Sequence, residues 1–382
     1  MGSWMKVKLA QVCSSISDGD HLPPPKCESG IPFVTISDIK NNKFDLSNTR
    51  FVPKAYFDTI DEKRRIRKGD VLYSVVGSYG IPVYADTDLE IAFQRHIAIL
   101  KPSSTVDSRF LYYSVLSPAF YNAADNVAIG AAQKTITLSA LRNLEIPLPQ
   151  LPVQRHIADV LSAYDDLIEN NRRRIAILEE TARLTYRKWF GGHNISADGA
   201  VRFRHEVTKG GRGSVRAKTT TLGDVAEVLY GKDHKKIPDG AIPIFGSGGV
   251  MRYGATAIFD KPSVLIPRKG TIGNVMYVDE PFWTVDTMFY TRFKLPNMEK
   301  MLYYQLCDYN LAAMSTGAAV PSMTTAILNS LEIKVPPDDL RVEFDMAVEP
   351  MFVQKRLLKK QNAALATARD MLLPRLMKGG VA

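Results

Sequence analysis

One twenty-residue passage occurs twice in this chain, and any fold it adopts must accommodate both copies. Gly130-Ala-Ala-Gln-Lys-Thr-Ile-Thr-Leu-Ser-Ala-Leu-Arg-Asn-Leu-Glu-Ile-Pro-Leu-Pro149 returns 187 residues later as Gly317-Ala-Ala-Val-Pro-Ser-Met-Thr-Thr-Ala-Ile-Leu-Asn-Ser-Leu-Glu-Ile-Lys-Val-Pro336, with nine positions identical. Leu111-Tyr112-Tyr113 echoes as Leu302-Tyr303-Tyr304, and Ile31-Pro32-Phe33 as Ile242-Pro243-Ile244. Gly77-Ser78-Tyr79-Gly80 stands where Gly270-Thr271-Ile272-Gly273 stands in the second copy. A tandem duplication predicts two units of one architecture.

Each copy runs into a long helix. From Gln154 to Phe190 an apolar seam recurs in alternating steps of four and three: Ile157, Leu161, Tyr164, Ile168, Asn171, Ile175, Leu178, Ala182, Thr185 and Trp189. The residues between them are largely charged, and the 3.5-residue period is that of a coiled coil. Pro152 precedes the stretch and Gly191-Gly192 ends it, as helix boundaries favour. At 1.5 Å per residue the helix is a rod roughly 50–55 Å long. Shifted by 187, the seam becomes Phe344, Val348, Met351, Lys355, Leu358, Asn362, Leu365, Arg369, Leu372 and Leu376, within a helix over about Arg341 to Met377. Matching seams predict an antiparallel pair about a pseudo-twofold axis, with facing residue numbers summing to about 533. Asn171 then faces Asn362, Tyr164 faces Arg369, and Ile157 faces Leu376. A polar pair in such a seam fixes register at some cost in stability.

The 382 residues allow two or three domains, each with its own core. Four of the nine excess positive charges fall in residues 191–218, a Gly-, Ser- and Arg-rich stretch that suits an exposed basic linker. The expected organisation is a globule over 1–150, a spacer helix over 151–190, the linker 191–218, a second globule over 219–337 and a second helix over 338–382. Strands are predicted at Phe33–Ile36, Val71–Val76, Ile97–Leu100 and Leu144–Pro147, with helices at Ser108–Leu116 and Leu138–Asn143. The second copy predicts strands at Ile242–Phe245, Ser263–Pro267, Thr291–Leu295 and Leu331–Val335, and a helix at Glu299–Tyr309. The fold class is α+β: two similar globular α/β domains joined by two long antiparallel helices, an internal tandem repeat. No run of about 18 apolar residues suggests a membrane span, and no signal-peptide core is seen. Cys13, Cys27 and Cys307 form no CxxC pair, so a reducing, cytoplasmic setting is expected.

No constellation for catalysis stands out. There is no P-loop, Gly246-Ser-Gly248-Gly249 lacks the helix and downstream acid of a dinucleotide fingerprint, and no NPPY-like tetrapeptide is present. The six histidines are scattered, Asp18-Gly19-Asp20 reads as a turn, and no acidic or His/Cys cluster predicts a metal. His96 is expected as a strand residue or, beside Arg95, a nucleic-acid contact. The expectation is a chain without catalytic residues, metal or cofactor of its own. What recurs is a set of polar, glycine-flanked loops, whose amides and cations suit base edges and phosphates. The candidate DNA-binding residues are Ser37, Lys40, Ser78, Tyr79, Arg95, Gln133 and Lys134 in the first globule. Those in the second are Ser247, Arg252, Arg268, Lys269 and Thr271. Two such globules held on a fixed rod could read two separated half-sites on one duplex.

These features resemble the specificity subunits of type I restriction-modification systems. The resemblance lies in the repeated Gly-Ala-Ala approach to each helix, in the Leu-Pro-x-Gln154-Arg155-x-Ile157-Ala158-x-Val160-Leu161 helix start, and in the Ile-Pro and Gly-Ser/Thr-x-Gly pattern of each globule. It covers nearly the whole chain. It implies two target recognition domains, each reading half of a split double-stranded DNA target, and a helical spacer that docks two methyltransferase subunits. Those subunits would carry S-adenosylmethionine, and restriction subunits could add ATP- and Mg-driven translocation and cleavage. The second copy departs where Gln154-Arg155 becomes Arg341-Val342 and Gln133-Lys134 becomes Val320-Pro321. A non-reading scaffold or antirestriction mimic that binds the methyltransferase stays open, as does, more remotely, an unrecognised enzyme.

Overall fold

The computed structural model describes residues 4–21, 23–131, 133–191, 194–195, 201–207, 211–315 and 322–379, with the backbone alone at 194–195, 201–207 and 211–216. The chain divides into two compact units, Met1–Arg172 with Lys359–Ala382, and Arg173–Leu358. The boundary falls inside both long helices, Leu151–Phe190 and Asp338–Leu376. The segment limits expected from composition, at 150, 190, 218 and 337, do not coincide with this division. The reason is packing: each helix gives part of its length to the core of each unit.

The first unit is built on an antiparallel sheet ordered Cys13–Asp18, Ile97–Pro102, Val71–Ser74, Pro82–Tyr84. Its central strands are apolar at nearly every position because both faces are covered. Val71, Tyr73, Ala98 and Leu100 enter one core, while Leu72, Ile97 and Ile99 enter another, the period-two alternation of a strand. A smaller sheet orders Arg50–Val52, Ile31–Val34 and Ala92–Phe93, the last two parallel. Helix Ser108–Leu116 is capped by Asp107, and Pro118–Val127 by Ser117 with Pro118 in its first turn, where a missing N–H costs nothing. Ile157 and Leu161 share the first core with Leu373, Leu376 and Met377.

The second unit repeats this plan. Its four-stranded sheet orders Ala226–Tyr230, Met288–Phe293, Ser263–Pro267, Met276–Val278, and its smaller sheet Gly249–Gly254, Asp239–Gly246, Trp283–Thr284. Again only the last pair is parallel. Lys8 N–H donates to Gln11 and Leu9 N–H to the Leu144 carbonyl; Thr221 N–H donates to Asp224 and Leu222 N–H to the Leu331 carbonyl. Among the described residues helix Pro118–Val127 has no counterpart, and Leu311–Met314 forms a turn. The stretch expected as a linker carries the strands Asn194–Ile195, Val201–Val207 and Gly211–Thr221, the last paired with Glu332–Val335. Residues 192–193, 196–200 and 208–210 of that stretch lie outside the described residues, as do 316–321, with Val320-Pro321 among them.

Along both helices every seam position is buried or half-buried: Ile157, Leu161, Tyr164, Ile168, Asn171, Ile175 and Leu178 on one, and Val348, Met351, Leu358, Asn362, Leu365 and Leu372 on the other. Within the first unit Asn171 Nδ2 donates to Asn362 Oδ1 at 2.9 Å and to Gln361 Oε1 at 3.1 Å, and Asn362 Nδ2 donates to the Ile168 carbonyl. Within the second, Phe190 meets Phe344 and Glu179 meets Lys355. In both units the segments run antiparallel, and facing numbers sum to 533 or 534. The expected Tyr164–Arg369 contact is replaced. Arg369 pairs with the carboxylates of Asp165 and Asp370, which hold a guanidinium more strongly than a ring face does.

Candidate nucleic-acid interface

Both sheets end in the same frame of turns. In the first unit Val75 N–H donates to the His96 carbonyl and Ile136 N–H to the Val75 carbonyl; in the second, Arg268 N–H donates to Thr287 and Met323 N–H to Arg268. These four bonds measure 2.8–2.9 Å. A glycine closes each frame. A Cβ on Gly19 would stand 2.1 Å from the Phe93 carbonyl oxygen, and one on Gly231 2.0 Å from that of Val285, so neither position admits a side chain. Gly77 and Gly270 take left-handed φ values of +71° and +79°, which favour glycine.

On the first frame Tyr79, Tyr121, Asp125 and Lys134 form one cluster. Asp125 accepts from the Tyr79 hydroxyl and, at 2.7 Å, from the Lys134 ammonium. Those bonds hold its carboxyl below the usual range and hold the Lys134 ammonium above its own. The Tyr79 and Tyr121 rings lie parallel at 6.1 Å, over Gly80, where a Cβ would strike the Tyr121 ring. Gln133 and Ser78 are exposed beside them, and a Cβ on Gly77 would come within 3.4 Å of the Gln133 amide. Arg95 is exposed on the adjoining turn, where its N–H donates to the Asp20 carbonyl. Ser37 and Lys40 lie apart from this cluster. Ser37 shares its hydroxyl with Thr35, and Lys40 is paired with Asp45 on a small hairpin.

On the second frame the Arg268 guanidinium lies 5.6 Å over the Tyr230 ring. Lys269 and Thr271 are exposed on the turn. Ser247 covers Gly270, leaving 2.6 Å between its hydroxyl and the place of a Cβ, and its carbonyl accepts from the Asn274 amide. Arg252 is spent on its own hairpin and the loop before it. Its guanidinium donates to the His234 and Ile237 carbonyls and to Asp239 and the His234 ring.

The profile of the family described as "Type I restriction modification DNA specificity domain" matches residues 1–180 and 215–342. The chain belongs to this family. Among its relatives, the type I restriction enzyme MjaIX specificity subunit of Methanocaldococcus jannaschii is 23% identical, over 91% of this chain and 86% of that protein. The HindI specificity subunit of Haemophilus influenzae is 22% identical, with the whole of both chains covered. In fold, the chain is similar to the S subunit of a type I restriction-modification system from M. genitalium, with a TM-score of 0.58 over 98% of this chain and 96% of that one, at 18% identity.

Within this specificity-domain fold, the side chains beside the turns that sequence reasoning missed are Tyr121 and Asp125 in the first unit, and Tyr230 in the second. Tyr121 and Asp125 sit on helix Pro118–Val127, whose closeness to the turns is a product of tertiary packing. Among the described residues no three His, Cys, Asp or Glu side chains converge as a metal site, and no helix is long and apolar enough to cross a membrane.

Proposed function

We propose that this chain is the DNA-specificity subunit of a type I restriction-modification complex, acting in the cytoplasm without catalytic residues or cofactor of its own. Each globular domain reads one half of a bipartite duplex target. The paired helices set the spacer between half-sites and dock two methyltransferase subunits, which bring S-adenosylmethionine; restriction subunits with ATP and Mg complete the endonuclease. One observation carries this reading. Two frames with the same backbone hydrogen bonds present different side chains, Tyr79, Gln133 and Lys134 on one, Arg268, Lys269 and Thr271 on the other. A constant frame with variable polar tips is what sequence-specific base contact needs.

Mapping methylated bases in the DNA of cells that carry the gene is the test. The expected result is a split motif with an unread spacer. Replacing residues 1–150 by another such domain should change one half only. Inserting seven residues in both long helices should alter the spacer and keep both halves. A chain that binds the methyltransferase while leaving no methylated motif would be a scaffold or mimic instead.

A further inference from the structure

The hairpin of the second unit's smaller sheet differs in character from its counterpart in the first. Strands Asp239–Gly246 and Gly249–Gly254 pair with Gly246 opposite Gly249, so only Ser247-Gly248 turn the hairpin. Gly248 and Gly249 stand clear, since a Cβ on either would meet nothing within 4 Å. The hairpin is held at its turn by Asn274 on the Ser247 carbonyl and along its outer strand by the hydrogen bonds of Arg252. Along the outer strand three apolar side chains face water: Val250 at 46%, Met251 at 59% and Tyr253 at 55% exposed. The Met251 sulfur lies over Gly246, where a Cβ would be 2.5 Å away.

An anchored apolar finger is costly in water and calls for an apolar partner. Its surroundings are cationic. Lys232, Lys235 and Lys236 are exposed on the loop that Arg252 grips, and Arg268 and Lys269 stand on the turn under Ser247. Of the nearby acids, Asp239 is paired with Arg252, Asp233 accepts from the Lys235 N–H, and Asp286 is exposed beside Arg268. A polyanion whose interior is flat and apolar meets both conditions, and stacked base pairs are such an interior. We propose that this hairpin is a finger that enters the second half-site and partly unstacks one base step, with Met251 as its wedge. Inserted apolar side chains kink a duplex in this way, and the unstacking penalty makes easily opened steps preferred. The corresponding hairpin of the first unit is polar: Ile39–Lys40 pairs with Lys43–Phe44 around Asn41-Asn42, with Lys40 bonded to Asp45 and Lys43 to Glu169. Its outer strand, Arg50–Val52, ends in the buried Val52. The distortion therefore belongs to the second half-site. This inference rests on the DNA-reading function proposed above.

The test uses the complex with its methyltransferase subunits and a duplex bearing the motif methylated in cells, with 2-aminopurine placed at successive positions of both half-sites. Binding should raise its emission several-fold at one step of the second half-site and at none of the first. Met251→Ala should return that emission to the level of free duplex and weaken binding about tenfold, while Met251→Leu should retain both. A mismatch at the same step should restore Met251→Ala binding to within about twofold of the parent. Emission that persists in Met251→Ala overturns the wedge. So does loss of the methyltransferase from Met251→Ala with unaltered emission, which would make the finger a protein-docking surface. A parent complex that prefers the motif no more than random duplex overturns the DNA-reading function and the finger with it.

Discussion

Tyr113 and Tyr304 hold equivalent places in the two copies, yet one meets charge and the other meets rings. In the first unit the Tyr113 hydroxyl donates to Asp165 at 2.6 Å, and Asp165 pairs with Arg369. In the second, the residue at the position of Asp165 is Phe352 and that at Arg369 is Ala182. Tyr304 there packs between Tyr186, at 5.1 Å, and Phe352, beside a Phe190–Phe344 contact. The helix starts differ in the same way. Gln154 Nε2 donates to the Thr105 carbonyl, and Arg341 Nη1 to that of Pro296, the matching position. Duplication thus preserved where helix and globule touch, while the chemistry of each contact drifted. One junction is directional and tolerant of water; the other relies on burial and ring geometry.

That contrast can be broken most sharply at the rings. Phe352→Ala should cost about 3–5 kcal/mol, seen as a lower urea midpoint, whereas Asp165→Ala should cost about 1–3 kcal/mol through the lost hydrogen bonds. Equal costs would mean that the two junctions differ only in appearance. A second pair is Lys300 and Arg109, which are also equivalent. Lys300 is 6% exposed and lies 2.6 Å from both Asp345 and Glu349, while Arg109 is 38% exposed and 3.6 Å from Asp166. Lys300→Ala should cost about 2–3 kcal/mol, less than for a fully buried pair because both its partners are partly wet. Arg109→Ala should stay within about 1 kcal/mol.

In the seam, Asn171→Leu alone should cost about 1–2 kcal/mol by stranding the Asn362 amide. Joined with Asn362→Leu, it should return to within about 1 kcal/mol of the parent while losing a single register, visible as doubled resonances or altered crosslinks between the helices. The smallest effect concerns the turns. Lys134→Ala should leave stability alone and lower the salt slope of DNA binding by about one; an unchanged slope would place Lys134 off the phosphates.

Much of this was legible in the residues. The helices Ser108–Leu116 and Leu138–Asn143 and the strand Ser263–Pro267 follow from apolar runs between polar caps. Helix Pro118–Val127 was hidden because Ser117-Pro118 reads as a stop, whereas here it is a cap followed by a first-turn proline. Strand Cys13–Asp18 is polar along an edge and carries little periodicity. Pro350 lies inside the second long helix, which the seam from Phe344 to Leu376 predicts as continuous. The helix runs through it because Val348 and Phe352 are buried on either side. For the candidate site, the glycine turns placed Arg268, Lys269 and Thr271 on one turn, but charge alone did not show that Arg252 is occupied by the carbonyls of His234 and Ile237.

The first unit's core contains Leu373, Leu376 and Met377 beside Leu9, Val12 and Ile157. That sharing has a consequence for biosynthesis. The ribosome makes residues 1–172 first, then roughly 200 more before the missing wall of their core emerges, which takes about 10–40 s at ordinary elongation rates. Through that interval the first unit displays a sticky face. Stalled nascent chains ending before residue 370 should bind chaperones, and be cleaved by protease within residues 1–172, far more readily than chains that extend past Met377.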